Sequence, residues 1–325
     1  MKRIFLILLV SLCFLSGCSL LNEEEDKNEN VVVENDDDIL KLTVTPSYVL
    51  FQDKNNDLYL YGNYSNVNLK SLNAPKKIYD NIKYYKNSGR LVIIDNKDNA
   101  YYIGLDKDGM GTKDSFELLT SDVKKIASNN FCFYVIDKDN DLRFKIPSAN
   151  KDAMSYCALT GNYIGDMSKE IYGVKDLYTS LTMFGYVHNN GDFYVSYTQN
   201  PNFEKVLSNV DYIVGEQILT KDYKLYYLNT SVIDRVPDTK LINDSVVKIY
   251  ENNFYKTINK EFYYQNKKLE YSDIRYPYYY DSENFIYLNT KGKLVLVNSK
   301  DKKEIDLNVD AMKEILDFIN NKTLN

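Results

Sequence analysis

Carboxylates at the spacing of a calcium loop are where chemistry would first be sought in this 325-residue sequence. In the stretch Asp106-Lys107-Asp108-Gly109-Met110-Gly111-Thr112-Lys113-Asp114-Ser115-Phe116-Glu117, acids fall at loop positions 1, 3, 9 and 12 and glycine at 6. Such a loop would wrap a hard cation in oxygen. Against this, Met110 offers no oxygen at position 5, and no helices flank the loop. Asp137, Asp139 and Asp141 form a second acidic group, yet similar Asp/Asn clusters recur wherever a hairpin must turn, and turn geometry alone selects them. Neither group is taken as a metal site, and no cofactor is expected.

His188 is the only histidine, and it precedes the turn sequence Asn189-Asn190-Gly191, so a solvated turn residue is expected rather than a catalytic base. No nucleophile elbow, phosphate loop or zinc spacing occurs. Carboxylates gathered from distant parts of the chain would leave no local motif. A glycan hydrolase or lyase of that kind is therefore the enzymatic alternative. Tryptophan is absent while tyrosine reaches 31. Most tyrosines read as strand residues packing between sheets. The run Tyr276-Pro277-Tyr278-Tyr279-Tyr280-Asp281 instead reads as a loop, and exposed tyrosines bind peptides and sugars. Tyr278, Tyr279 and Tyr280 are accordingly the candidate ligand-binding residues.

The N-terminus carries a sharper signal. Met1-Lys2-Arg3 is basic, and Ile4 to Leu15 is apolar apart from Ser11. At about 12 residues this run is short of the roughly 20 that a spanning helix needs. Leu15-Ser16-Gly17-Cys18 follows, and it resembles the lipobox of bacterial lipoproteins. The resemblance implies a diacylglyceryl group on the Cys18 thiol, cleavage after Gly17, and anchoring at the extracytoplasmic face of a cell membrane. Only a thiolate at Cys18 is nucleophilic enough for that alkylation, and two acyl chains hold where one is marginal. The alternative is an ordinary secretory signal in which Cys18 is incidental.

Residues 22–38, NEEEDKNENVVVENDDD, are too polar to bury a core and read as a disordered acidic tether. The whole sequence has a net charge of −6. Setting aside the three bases and nine acids before residue 39 leaves 37 Lys+Arg against 37 Asp+Glu. The folded part is neutral, which argues against a nucleic-acid partner. Beyond Cys13 and Cys18, only Cys132 and Cys157 remain. Cys132 sits in the apolar run Phe131 to Ile136 and reads as a buried, unpaired side chain. A disulfide to Cys157 is the alternative that an oxidising compartment permits.

The elements that would position these residues come from a repeat. Its clearest copy runs Val123-Lys124-Lys125-Ile126-Ala127, a polar knot Ser128-Asn129-Asn130, a strand Phe131 to Ile136, and a turn Asp137 to Asp141 before Leu142-Arg143-Phe144. Other copies begin at Ile82, Val174, Val210, Val246 and Ile274, with a worn first copy near Leu40. The starts are 28 to 51 residues apart, close to a propeller blade of about 40 to 50 residues. Hairpins of this kind cannot bury both faces alone, and radial stacking solves the problem. Seven copies predict seven blades, with six or eight left open by the short last intervals.

The segment Tyr102-Ile103-Gly104-Leu105 through Thr112, followed by Val123-Lys124-Lys125-Ile126-Ala127, resembles the regulator of chromosome condensation repeat. The likeness holds from about residue 101 to 145 and is weaker in 174–228. That family's Gly-Gly and His-Ser in the knot are replaced here by Ser128-Asn129-Asn130, and the functional residues of its best-known member find no match. The resemblance implies the seven-bladed fold, and not nucleotide exchange on a small GTPase.

Met312, Ile315, Leu316 and Ile319 stand at helical spacing after Asn308, a plausible cap. The sequence thus predicts a signal peptide at 1–17, a lipidated cysteine and tether at 18–38, an all-β propeller at 39–308, and a C-terminal helix and tail at 309–325. Every knot should lie on one face of the disc, with the turns at Asp53, Asp95, Asp137, Asn189, Lys221 and Lys291 on the other. Tyr278-Tyr279-Tyr280 should project beside the knots. The expected function is binding of a protein, peptide or cell-envelope polymer by a membrane-anchored propeller. A structural subunit of an envelope complex is a further alternative.

Overall fold

The computed structural model describes residues 41–64, 69–105, 112–129, 132–145, 171–180, 182–197, 203–229, 237–298 and 301–320. These form seven antiparallel sheets, each built from consecutive strands. Blade 1 is β1 (Leu42–Val44), β2 (Tyr48–Gln52), β3 (Leu58–Tyr64) and β4 (Leu69–Tyr79). Blade 2 is β5 (Ile82–Ser88), β6 (Arg90–Asp95), β7 (Ala100–Leu105) and β8 (Thr112–Thr120). Blade 3 shows β9 (Val123–Ser128), β10 (Phe133–Asp137) and β11 (Leu142–Lys145), and Ile171 bridges Leu142 where a fourth strand would run. Blade 4 is β12 (Val174–Thr179), β13 (Met183–His188), β14 (Phe193–Tyr197) and β15 (Glu204–Leu207). Blade 5 is β16 (Val210–Val214), β17 (Gln217–Thr220), β18 (Leu225–Asn229) and β19 (Asp238–Asn243). Blade 6 is β20 (Val246–Tyr250), β21 (Phe254–Thr257), β22 (Phe262–Tyr264) and β23 (Lys267–Lys268). Blade 7 is β24 (Ile274–Tyr280), β25 (Asn284–Asn289), β26 (Lys293–Asn298) and β27 (Lys302–Asp306). The fold is a seven-bladed β-propeller. Six of the seven predicted copies begin on the first residue of a first strand, and the first begins at Leu42 rather than near Leu40.

Burial follows from the radial stacking. Second strands are covered on both faces by neighbouring blades, so β10 and β25 are buried at every position and read as unbroken apolar runs. Fourth strands form the rim. Lys70, Pro75, Lys76 and Lys77 of β4 and the Lys302–Lys303 pair of β27 blunt edges that would otherwise pair with another chain.

One turn recurs between every second and third strand. Its fourth residue has positive φ in all seven blades: Asn56, Asp98, Asn140, Gly191, Tyr223, Lys260 and Gly292. In four blades the first residue accepts two amides with one side-chain oxygen. Asp53 takes Asn55 and Asp57, Asp95 takes Lys97 and Asn99, Asp137 takes Asp139 and Asp141, and Asn289 takes Lys291 and Lys293. The left-handed residue then offers its carbonyl to the next blade. Ile82 N–H bonds Asn56 O, Val123 bonds Asp98, Val174 bonds Asn140, Val210 bonds Gly191 and Val246 bonds Tyr223. The turn is thus also the staple between blades.

The knots join one another on the opposite face. Asn87 meets Tyr48 and Tyr64, the Arg90 N–H donates to Ser128 Oγ, Thr179 Oγ1 donates to Ser128 O, and Asn252 Nδ2 donates to Tyr278 O. These bonds link blades 1 with 2, 2 with 3, 3 with 4, and 6 with 7.

Among the described residues no strand is exchanged between the first and last blades to close the ring. A helix does that work instead. Helix α1 (Ala311–Ile319) buries Met312, Ile315, Phe318 and Ile319 in a cluster shared by blade 1 (Leu42, Val49, Phe51) and blade 7 (Ile286, Leu288, Leu296). The residue that precedes the helix is Asp310, which makes no side-chain cap bond, and Asn308 acts on the turn leading into it, its Oδ1 accepting the Ala311 N–H at 3.0 Å. Gly62 has φ +102° beneath the helix, and a Cβ there would lie 2.7 Å from Tyr48 Cα and 3.0 Å from Leu316 Cδ2.

Two expectations need correction. Cys132 is fully buried but not unpaired, being disulfide-bonded. Tyr278, Tyr279 and Tyr280 are not in a loop, because β24 runs through Tyr280 before it turns at Asp281. A second bulge at Pro277/Tyr279 lengthens this strand, and Tyr278 is buried in the blade 1–blade 7 cluster.

Candidate functional site: the axial channel

First strands neighbour one another around the axis. Their contacts run β5 to β9 to β12 to β16 to β20, and β24 meets β1. In blades 2 to 7 each first strand carries a β-bulge just after its first residue. A bulge re-aims the side chains beside it. The bulged residue is basic in four blades, and Lys83 and Lys124 reach the left-handed residues Asp98 and Asn140 of their own turns. The next residue inward stands opposite the last position before the turn. In register these are Tyr84, Lys125, Asp176, Tyr212, Lys248 and Tyr276, and Lys41 holds the same place in blade 1, its carbonyl accepting the Gln52 N–H.

This ring ties the blades together at the axis. Asp176 Oδ1 accepts Lys125 Nζ at 3.0 Å and the Leu177 N–H at 3.0 Å, while Oδ2 accepts the Ile213 N–H of blade 5 at 3.1 Å. Tyr212 repeats the device one blade on, its hydroxyl accepting the Ile249 N–H at 3.1 Å. Lys41 Nζ lies 3.7 Å from the centre of the Tyr84 ring, a cation–π contact between blades 1 and 2. Tyr85 OH and Thr43 Oγ1 are 3.2 Å apart between the same blades.

Lys86, two residues beyond Tyr84, feels Asp176 of blade 4, Glu251 of blade 6 and Lys125 of blade 3. Only a side chain projecting into the axis can sense all three. Burial pushes its ammonium below the usual lysine range, with the two acids opposing. Burial pushes Lys41 down to about 8, with Glu251 opposing and Lys86 adding to the depression. The unfolded chain titrates this lysine at 10.5, so between pH 8 and 10.5 it carries the extra proton and folding gains stability as pH rises. The phenols of Tyr84 and Tyr85, raised by burial, act in the opposite direction above pH 10, where unfolded tyrosines ionise. Thermal melting should therefore rise from pH 8 toward pH 10 and fall beyond it. Lys41→Met should flatten the rise, and an unchanged slope in that variant would place Lys41 in open solvent.

The predicted site residues are dispersed relative to this channel. Tyr279 donates its hydroxyl to Asp281 Oδ2 at 3.1 Å, and Tyr280 packs 4.5 Å from the Tyr264 ring, both half-buried at the knot end of blade 7. His188 is a turn residue, as expected, its Nδ1 accepting the Asn190 N–H at 3.4 Å. Asp137 is spent on its turn and on Arg143 at 2.8 Å, and no metal-holding group of acids, histidines and cysteines occurs among the described residues. Asp106 to Gly111, Cys18, the tether and Cys157 lie outside the described residues. The channel residues were not singled out from sequence. Aligning the copies at the residue after the basic position would have gathered six of the seven ring members.

No protein-family model matches the chain, and no curated protein matches it. Among solved structures it is similar to human WBSCR16, at 13% identity and TM-score 0.44, over 57% of this chain and 60% of that one. It is also similar to Saccharomyces cerevisiae Prp20p, the yeast RCC1, at 10% identity and TM-score 0.45, over 79% and 71% of the two chains. Prp20p is described there with binding properties toward Gsp1p and histones. Kluyveromyces lactis Hsv2 with a Gly-Ser linker in place of loop 6CD gives 8% identity and TM-score 0.46, over 82% and 96%. Likeness at this level speaks to the fold alone, and the propeller assignment rests on the seven sheets.

Proposed function

We propose that this chain is a lipid-anchored, extracytoplasmic binding module that takes a protein, peptide or envelope polymer at the knot face and the mouth of its axial channel. The observation that carries the binding reading is the ring itself. Side chains from blades 1, 2, 3, 4 and 6 converge on one axis, those of Lys86, Lys125 and Asp176 held by strands and those of Lys41 and Glu251 at strand ends. Half-exposed Tyr279 and Tyr280 add an aromatic edge at the knot end. The lipobox at Leu15–Cys18 supports the anchor, and the disulfide at Cys132 fits an oxidising compartment.

Anchoring and binding are tested separately. Cys18→Ala should leave uncleaved or released protein that no longer partitions into detergent. Recovery of that variant at mature size, wholly in the membrane, would overturn the anchor. The mature lipoprotein should retain a specific envelope protein or peptidoglycan fragment in a pull-down, and failure to retain any would overturn the binding role. A second reading, a glycan hydrolase or lyase, draws on the approach of Asp176, Glu251 and Tyr84 in the channel. The oxygens of Asp176 already accept three hydrogen bonds, which leaves Glu251 as the available carboxylate.

A further inference from the structure

We propose that the axial channel is an oxyanion site, in which Lys86 and Lys41 hold a carboxylate or phosphate group of the ligand. The inference deepens the binding reading above and rests on it. Three ammonium groups, those of Lys86 and Lys125 on first strands and of Lys41 just before β1, stand around the axis against two carboxylates, Asp176 and Glu251. The neutral surface of the whole domain hides this local excess.

Not all of that charge is compensated. Lys125 is paired with Asp176, whose other oxygen is taken by the Ile213 amide. Lys248 lies 5.2 Å from the Tyr250 ring and Lys41 lies over Tyr84. Lys86 is half-buried and forms no hydrogen bond or ion pair among the described residues, and its ammonium keeps access to solvent. The hydroxyl of Tyr84 has no hydrogen-bond partner among the described residues either. An oxyanion between Lys86 and Lys41 would accept from both ammoniums and from the Tyr84 hydroxyl, and it would favour the charged form of two lysines that burial now depresses. The groups facing Lys41 and Lys86 are Tyr84 and Tyr85 of blade 2, Lys125 of blade 3, Asp176 of blade 4 and Glu251 of blade 6. Glu251 is exposed at the end of β20 and is the internal competitor for the site.

The test is calorimetric titration of the detergent-solubilised mature protein with inorganic phosphate in one arm and citrate in the other. Saturable binding is expected in at least one arm, and the stronger arm tells a phosphate source from a carboxylate source. Binding should take up protons near pH 8 and weaken as pH rises past it, because the anion favours charged Lys41. Lys86→Met should weaken binding by about tenfold or more, since it removes a charge-assisted contact. The same variant should melt no lower than the parent, because an uncompensated charge has gone. Glu251→Gln should tighten binding, and Lys124→Met on the outer bulge should leave it unchanged. No binding of either anion, or full affinity in Lys86→Met, would overturn the inference. A pull-down partner retained in the absence of anion uptake would overturn it alone, leaving the binding module in place.

Discussion

Met312→Ala and Ile315→Ala should each destabilise the propeller by about 2–5 kcal/mol, the range for deleting a fully buried aliphatic side chain. Both side chains are completely buried, in the one cluster that joins blade 1 to blade 7. Every other pair of adjacent blades is joined by continuous chain, and blades 1 to 6 also have turn staples between them. Among the described residues the first and last blades have neither between them, so the helix carries a disproportionate share of ring closure. Its other ties include an ion pair from Lys303 to Glu314 and a hydrogen bond from Asn320 Nδ2 to Pro46 O at 3.2 Å. The two substitutions touch the same cluster, so the double variant should not be additive. A loss of that size is a large fraction of a typical net stability of about 5–15 kcal/mol. Denaturant unfolding followed by tyrosine near-ultraviolet circular dichroism measures it directly. Lys313→Ala, on the exposed side of the same helix, should stay within about 0.5 kcal/mol of the parent. Equal effects from Lys313 and Ile315 would mean that the helix is not the closure.

The helix and the blade starts were legible because their signals are local. An apolar residue, a base, a variable residue and an apolar residue encode the bulge that opens a first strand. In two blades the base at the bulge meets the left-handed Asp or Asn of its own turn, as Lys83 meets Asp98 and Lys124 meets Asn140. Blade 1 lacks that signature, and its start was read two residues early. The Tyr278 to Tyr280 run was misplaced for a related reason. Copy rhythm put the knot there, but a second bulge carries β24 onward, and Asp281 is the residue whose carboxylate accepts the Asn284 amide to make the turn. The disulfide at Cys132 could not be read from Phe131 to Ile136, since an apolar neighbourhood suits a packed thiol and a bonded one equally. The channel was hidden by distance. Lys41, Lys86, Asp176 and Glu251 meet only after seven sheets have closed into a ring, and none of them belongs to a motif.

Asp176→Ala should be the most damaging single change inside that channel, and its two consequences have opposite signs. The side chain is 13% exposed and joins three blades, accepting Lys125 of blade 3, its own neighbour Leu177 in blade 4 and the Ile213 N–H of blade 5. The amides face the axis, on the edge of a first strand that no further strand covers. Alanine leaves the Ile213 N–H without its acceptor, which costs about 1–3 kcal/mol for a buried group. Losing the half-exposed Lys125 pair adds about 1 kcal/mol at most. A total of about 1–4 kcal/mol is expected in denaturant unfolding. Asp176→Asn retains one accepting oxygen and should cost less than alanine. Lys125→Ala removes only the exposed partner and should cost least of the three. Meanwhile both Asp176 variants remove a negative charge from the channel and should tighten phosphate or citrate binding in whatever fraction remains folded. Lower stability with higher anion affinity in one variant is an outcome that a purely structural carboxylate would not produce. Should Asp176→Ala unfold at the parent's midpoint, water must be satisfying the Ile213 amide, and the axis would be wetter than its hydrogen bonds indicate.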